Sequence, residues 1–203
     1  MVLPPLFRLP VELRYQIYAH LSAAQPICYP FRESPITSIS HRPPPLALLL
    51  TCHKLSCEAL DYFHSIATFR FLALGVSQNS GTALHPTALS SLRKARRVEF
   101  MLMWNLTADR IKVHPSTWPW WMMGWLDTQV NLLEEEGHEL RVVVVSLRDA
   151  SIEGGWELKR ALLEPLDRLK GRVNFRIGEI VTVITEQDEV VEGIKAFVKE
   201  LNE

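Results

Sequence analysis

From residue 67 onward, short β-prone runs alternate with helical segments four times, and this alternation is the strongest restriction on the folds open to the chain. The runs are "ATFRFLAL" (67–74), "RVEFMLMW" (97–104), "ELRVVVVS" (139–146) and "GRVNFRIG" (171–178), with a short extra strand over "EIVTVI" (179–184). Helical patterns follow each: from His85 through "PTALSSLRKAR", over "PWWMMGWLDTQVNLLEEEG", over "GGWELKRALLEPLDRLK", and over the terminal "EQDEVVEGIKAFVKELN". Strands joined by helical crossovers lie parallel, with right-handed connections. The expected class is therefore α/β with a mostly parallel sheet. The uninterrupted Val142–Val145 predicts a central strand covered on both faces. Strand starts fall 30, 42 and 32 residues apart. That is too irregular for a strict solenoid, so a leucine-rich-repeat-like stack and a doubly wound sheet both stay open.

Ahead of this region stands "LPVELRYQIYAHL" (9–21). Pro10 fits the first helical position, where its missing N–H costs nothing and its fixed φ suits the turn. Leu13, Ile17 and Leu21 recur every four residues with Tyr18 beside them, and Glu12, Gln16 and His20 form the adjacent polar line. So short a helix is not stable alone in water, and its apolar side needs a partner in the chain or on another molecule. Residues 22–45 contain six prolines and no apolar period, which predicts an extended surface loop carrying little chemistry. Helical spacing resumes in "LALLLTCHKLSCEALDYFHS" (46–65). Leu48, Cys52, Leu55, Ala59 and Tyr62 or Phe63 lie on one side, with Lys54, Glu58 and Asp61 opposite. In the simplest arrangement the two helices pack on each other and the loop is an insertion. This divides the chain into a helical unit over 1–66 and an α/β body over 67–203.

These two blocks resemble the F-box. "LPVELRYQIYAHL" is similar to its first helix, whose hallmark is Leu-Pro, an acid, then Leu and Ile on one face. Paired with "LALLLTCHKLSCEALDYFHSIATFRF", it looks like a group of fungal F-box-like proteins in which a leucine-rich, Thr-Cys, Glu-Ala, Phe-x-Phe segment follows across a variable loop. The likeness spans residues 6 to 74. It implies docking on the Skp-family adaptor of a cullin ubiquitin ligase through Leu9, Pro10, Leu13, Ile17 and Leu21. The alternative fate of Leu13, Ile17 and Leu21 is packing on the second helix and the sheet.

Charge adds exclusions. The 203 residues carry a net charge of −1, without the long-range field of a protein that grips nucleic acid or anionic lipid. Neither partner class is expected. The one basic run, Arg93 to Arg97, leads into an apolar strand and reads as a solvated helix end. Cys28, Cys52 and Cys57 make no disulfide framework. Cys52 and Cys57 would point about 140° apart on a helix, and with no CxxC or HxxxH spacing a zinc site is not expected. No signal-peptide pattern and no membrane-spanning apolar run is seen, so a reducing intracellular setting, cytoplasmic or nuclear, is expected.

In a doubly wound sheet, ligands gather at the carboxyl ends of the strands. The turns there, "GVSQNSG" and "IEGGW", carry neither GxGxxG nor GxxxxGK[ST], and there is no GxSxG elbow. His85 and His114 read as capping or solvated residues, and Glu134 to Glu136 point in different directions on a helix. No catalytic residue, cofactor or metal site follows from these patterns.

The compositional outlier is "STWPWWMMGW" (116–125). Its helix places Trp121, Trp125 and Leu132 on one face and Met122, Leu126, Val130 and Leu133 on the next. Trp121 and Trp125 are expected in the core, and Trp118 and Trp120, at the entry, as partner contacts. The acidic terminal helix turns Val190, Ile194, Phe197, Val198 and Leu201 inward. The expected function is a non-enzymatic protein–protein interaction module with an unknown protein target. A self-contained scaffold or oligomer, and an enzyme whose site no linear motif reveals, are the alternatives.

Overall fold

A computed structural model describes residues 5–29, 34–73, 84–104, 120–150, 156–182 and 188–203. After a 3-10 turn at Pro5–Arg8 come α1 (Val11–Leu21), β1 (Ile27–Cys28), β2 (Ile36–Ile39), α2 (Leu46–Leu49) and α3 (His53–Ile66). The body follows as β3 (Phe69–Leu72), α4 (Pro86–Lys94), β4 (Arg97–Trp104), α5 (Trp120–Glu136), β5 (Val142–Asp149), α6 (Trp156–Leu163), β6 (Asn174–Thr182) and α7 (Asp188–Asn202). A 3-10 segment at Glu164–Leu169 continues α6 where Pro165 removes a backbone donor.

The six strands form one sheet in sequence order, β1 to β6. β3, β4, β5 and β6 are mutually parallel, and β1 and β2 add antiparallel pairs to the β3 edge. The fold is α/β with a mostly parallel sheet. Strand order never reverses, so no switch point of the doubly wound kind exists among the described strands.

The expected loop at 22–45 is corrected. Ile27, Ile36 and Ile39 place two strands of the sheet inside it, with Ile36 opposite Phe71 and Ile39 opposite Phe69. The 46–65 helix is two, α2 and α3, separated at Leu50–Cys52. The third body strand lies three residues further on than its pattern suggested. The two C-terminal runs are one strand, bent by a bulge that sets one residue of β5, Ser146, against Gly178 and Glu179 of β6.

Among the described residues the core is one-sided. Phe69, Phe71, Val98, Phe100, Leu102, Trp104, Val143, Val145, Leu147 and Phe175 share one sheet face and cluster with Leu92, Met122, Leu126, Val130, Leu133, Leu162, Ile194 and Phe197 from the helices. No residue of the opposite face belongs to that cluster. This overturns the two-sided burial expected for the valine run. Val143 and Val145 are buried, whereas Val142 and Val144, pointing the other way, are half-buried. On the helical side packing is tight: a Cβ on Gly193 of α7 would lie 2.3 Å from the Trp156 ring of α6.

Candidate functional site

α1 is fixed to α3 by polar and aromatic side chains rather than by its aliphatic line. The Arg14 guanidinium grips the Glu58 carboxylate with both arms, Nε to Oε1 at 2.6 Å and Nη2 to Oε2 at 3.1 Å. Its third arm donates to the Leu9 carbonyl, folding the chain entry onto the helix. Tyr18 is 1 % exposed, sits with Leu55 and Ala59 in a small separate cluster, and donates to Glu58 Oε1 at 3.3 Å. Burial, and then the neighbouring Glu58 charge, push its phenol up to about 12. The rings of Tyr15 and Tyr18 lie 5.1 and 5.9 Å from that of Tyr62. Phe7 closes the end of this contact, with the Lys54 ammonium 4.8 Å from its ring centre.

The helical wheel dictates the consequence. Arg14, Tyr15 and Tyr18 centre on a direction about 100° from the line of Leu13, Ile17 and Leu21, so anchoring one set turns the other outward. Leu13 is 43 % exposed, and Leu9, Ile17 and Leu21 are each 36 % exposed. Pro10, just ahead of the helix at φ −53° and ψ 151°, is exposed as well. Of the two fates open to this line, packing on the second helix is not the one it takes, although the two helices do meet. Two further uncovered aliphatics, Leu46 at the start of α2 and Leu50 just past its end, are exposed as well. Hydropathy alone ranks the leucines above Tyr18 and Arg14 as buried groups. The missed signal was Glu58, an acid on the second helix able to take both Arg14 and Tyr18.

The tryptophan segment divides differently. Trp118 lies outside the described residues, and Trp120 opens α5 as its first residue. Trp125 packs against the core, its ring edge-on to Phe100 at 6.1 Å. Met122, Leu126, Val130 and Leu133 form the fully buried stripe.

At the carboxyl ends of β4 and β5, Asp149 and Lys159 form a buried ion pair at 2.5 Å, with the ammonium 5.7 Å from the Trp104 ring centre. The apolar void beside them is about 10 Å³ and is lined by Leu102, Trp104, Met122 and Trp156. That is about the space of one water. Two charges removed from water at a high desolvation cost thus tie α6 to the end of β5. His85 caps α4, accepting from the Thr87 N–H at 3.2 Å; His114 lies outside the described residues. Glu134 and Glu136 serve Arg168, Arg172 and Arg93 separately and do not converge. No helix among the described residues is long and apolar enough to cross a membrane.

The sheet face turned away from this core has its own polar centre. Its rows follow from strand register: Arg70, Glu99, Val144 and Arg176 in one, Leu72, Met101 and Ser146 in the next, then Met103, Arg148 and Val181. Glu99 accepts from Arg70 Nε and from the Ser146 hydroxyl, both at 2.6 Å. The Ser146 oxygen in turn accepts from the Glu179 N–H at 3.1 Å. A Cβ on Gly178 would lie 2.1 Å from that oxygen, so only glycine lets the bulge close over it. Ser146, wholly buried, is a strut of the bulge and not a nucleophile.

Compared with models of protein families, with curated proteins and with solved structures, the chain finds no match.

Proposed function

We propose that the protein is a non-enzymatic interaction module whose first helix docks on an Skp-family adaptor through Leu9, Pro10, Leu13, Ile17 and Leu21. The observation carrying this reading is the outward turn of that line on a helix anchored from its other side. An aliphatic ridge left in water costs free energy until a partner covers it. A ridge pre-set by a bidentate Arg14–Glu58 pair loses little further entropy on binding. The F-box likeness of the same residues supplies the partner class. In this reading the protein recruits a target to a cullin ubiquitin ligase.

The test is direct because the ridge does not hold the fold together. A purified Skp-family adaptor is titrated against wild type and against Leu13→Asp/Ile17→Asp, with thermal unfolding recorded for both. At least about tenfold weaker binding is expected, equal to about 1.4 kcal/mol, at an unchanged unfolding midpoint. Equal affinity of the two proteins, or no binding by either, removes the adaptor and leaves only an exposed ridge.

A further inference from the structure

We propose that the face of the sheet on which no described helix packs is a second docking surface and that its occupant is an acidic polypeptide segment bearing aliphatic side chains. Parallel strands are ordinarily covered on both faces, because crossover helices lie over each. Here the described crossover helices feed one core, and the other face of β3 to β6 carries Met101, Met103, Val144 and Val181 without joining it. Met103 is 41 % and Val181 42 % exposed on the row that Arg148 shares, beside the rows in which Glu99 and Ser146 are buried. Apolar groups around a fully satisfied polar centre leave only the apolar rows and the unspent charges to a partner. Methionines adapt their shape to such a contact.

Charge names the chemistry of that partner. The register puts four arginines and two glutamates on this face. Arg70 is spent on Glu99 and Arg148 on Glu179. Among the described residues, Arg97 and Arg176 face the same side with no carboxylate within ion-pair distance. The chain as a whole has a net charge of −1, so this local excess of cations is a property of the face and not of the composition. A second copy docked face to face would add its own Arg97 and Arg176 to the same interface, which disfavours self-association. An acidic segment meets them and lays aliphatic groups on the methionine and valine rows.

The experiment uses the full chain and fluorescence anisotropy with three labelled probes: a peptide of alternating Glu and Val, its Lys–Val counterpart, and a Glu–Ser peptide. The Glu–Val peptide is expected to bind, more weakly as salt rises, and the other two at least about tenfold more weakly. Arg97→Glu/Arg176→Glu should lose the Glu–Val peptide by a similar factor, and Arg176→Glu alone, at an exposed position, should lose part of it. Leu13→Asp/Ile17→Asp should bind it as wild type does, which keeps this surface distinct from the α1 ridge whether or not the adaptor reading stands. Loss of the peptide in the α1 variant overturns the proposal, as does equal binding of the Lys–Val peptide, indifference to both arginine variants, or no binding at all. Dimerisation that Met103→Glu/Val181→Glu abolishes would assign the face to a second copy and overturn it too. Displacement of the peptide by a single-stranded oligonucleotide would assign it to nucleic acid, with the same result.

Discussion

α1 and α7 carry the same kind of aliphatic line and meet opposite fates. In α7, Val190, Ile194, Phe197, Val198 and Leu201 are at most 5 % exposed and share the main core with α6 and the sheet. In α1, Leu13, Ile17 and Leu21 face water while Tyr18 is buried. Both helices have apolar residues at helical spacing, so the pattern says that a face needs covering and not what covers it. The difference lies in the partner. α7 lies against β6, whose Phe175 N–H and C=O are both taken by the Asn202 side chain at 2.8 and 2.9 Å. α1 meets chiefly α3, whose matching surface sets Tyr62 and Glu58 beside Leu55 and Ala59, and the fit uses tyrosine and arginine.

Core truncation should break the comparison hardest. Phe197→Ala removes a ring packed edge-on to Trp156 at 6.4 Å, and a loss of about 4 kcal/mol in global stability is expected, measured by urea unfolding. A loss no larger than that of an α1 surface variant would mean that α7 is not core-bound.

The next effect lies where the two regions join, because α3 serves both: Leu55 and Ala59 face the small cluster, and Phe63 the large one. His64 is buried at that junction, stacked on Phe69 with ring centres 5.9 Å apart. Burial first, then the Lys94 and Arg96 charges, push its pKa down to about 4, against the opposing pull of Glu139 and Asp61. Below the ordinary histidine value of 6.5 the unfolded chain takes a proton that the native one refuses. Stability is therefore intact above 6.5 and falls as pH drops toward 4, by about 3 kcal/mol over the window. The difference between wild-type and His64→Leu unfolding free energies should shift by this amount between pH 7 and pH 4. A flat difference would place His64 in water.

Much of the body was legible because local pattern and tertiary environment agree there. β4 falls on the residues its alternation marks, and α4 (Pro86–Lys94) lies within the helical run read from His85 to Arg96. Three features were not legible, each for a physical reason. β1 and β2 are too short for a period and are flanked by prolines; their isoleucines are recruited by β3 from some thirty residues away. The end of β5 looks polar because Asp149 is there, yet its carboxylate is buried against Lys159 of α6, a pairing invisible until α6 folds back. The sequence pattern left the direction of the ridge open, since its orientation depends on Glu58, forty-four residues beyond Arg14.

Local rather than global loosening should distinguish the two helices next. Tyr18→Ala empties the small cluster, and amide exchange over 11–21 should become faster by a factor corresponding to about 2 kcal/mol. The urea midpoint of the main core should move far less, because that cluster is separate from the large one. A joint shift of both would show one cooperative unit and erase the contrast between the helices.

The smallest effect is the sharpest test of the orientation on which the contrast rests. Leu13→Ala and Ile17→Ala remove methyl groups already in water, so each should change stability by less than about 0.5 kcal/mol, the ordinary range for a surface substitution. The same truncation at Ile194, 1 % exposed in α7, should cost about 3 kcal/mol. The chemistry of Ile17→Ala and Ile194→Ala is identical, and only the environment differs. A ratio near one would mean that the α1 ridge is covered in solution, by its own chain or a second copy. A dilution series separates these two: a second copy makes the cost at Ile17 fall with protein concentration, whereas coverage by the same chain leaves it constant.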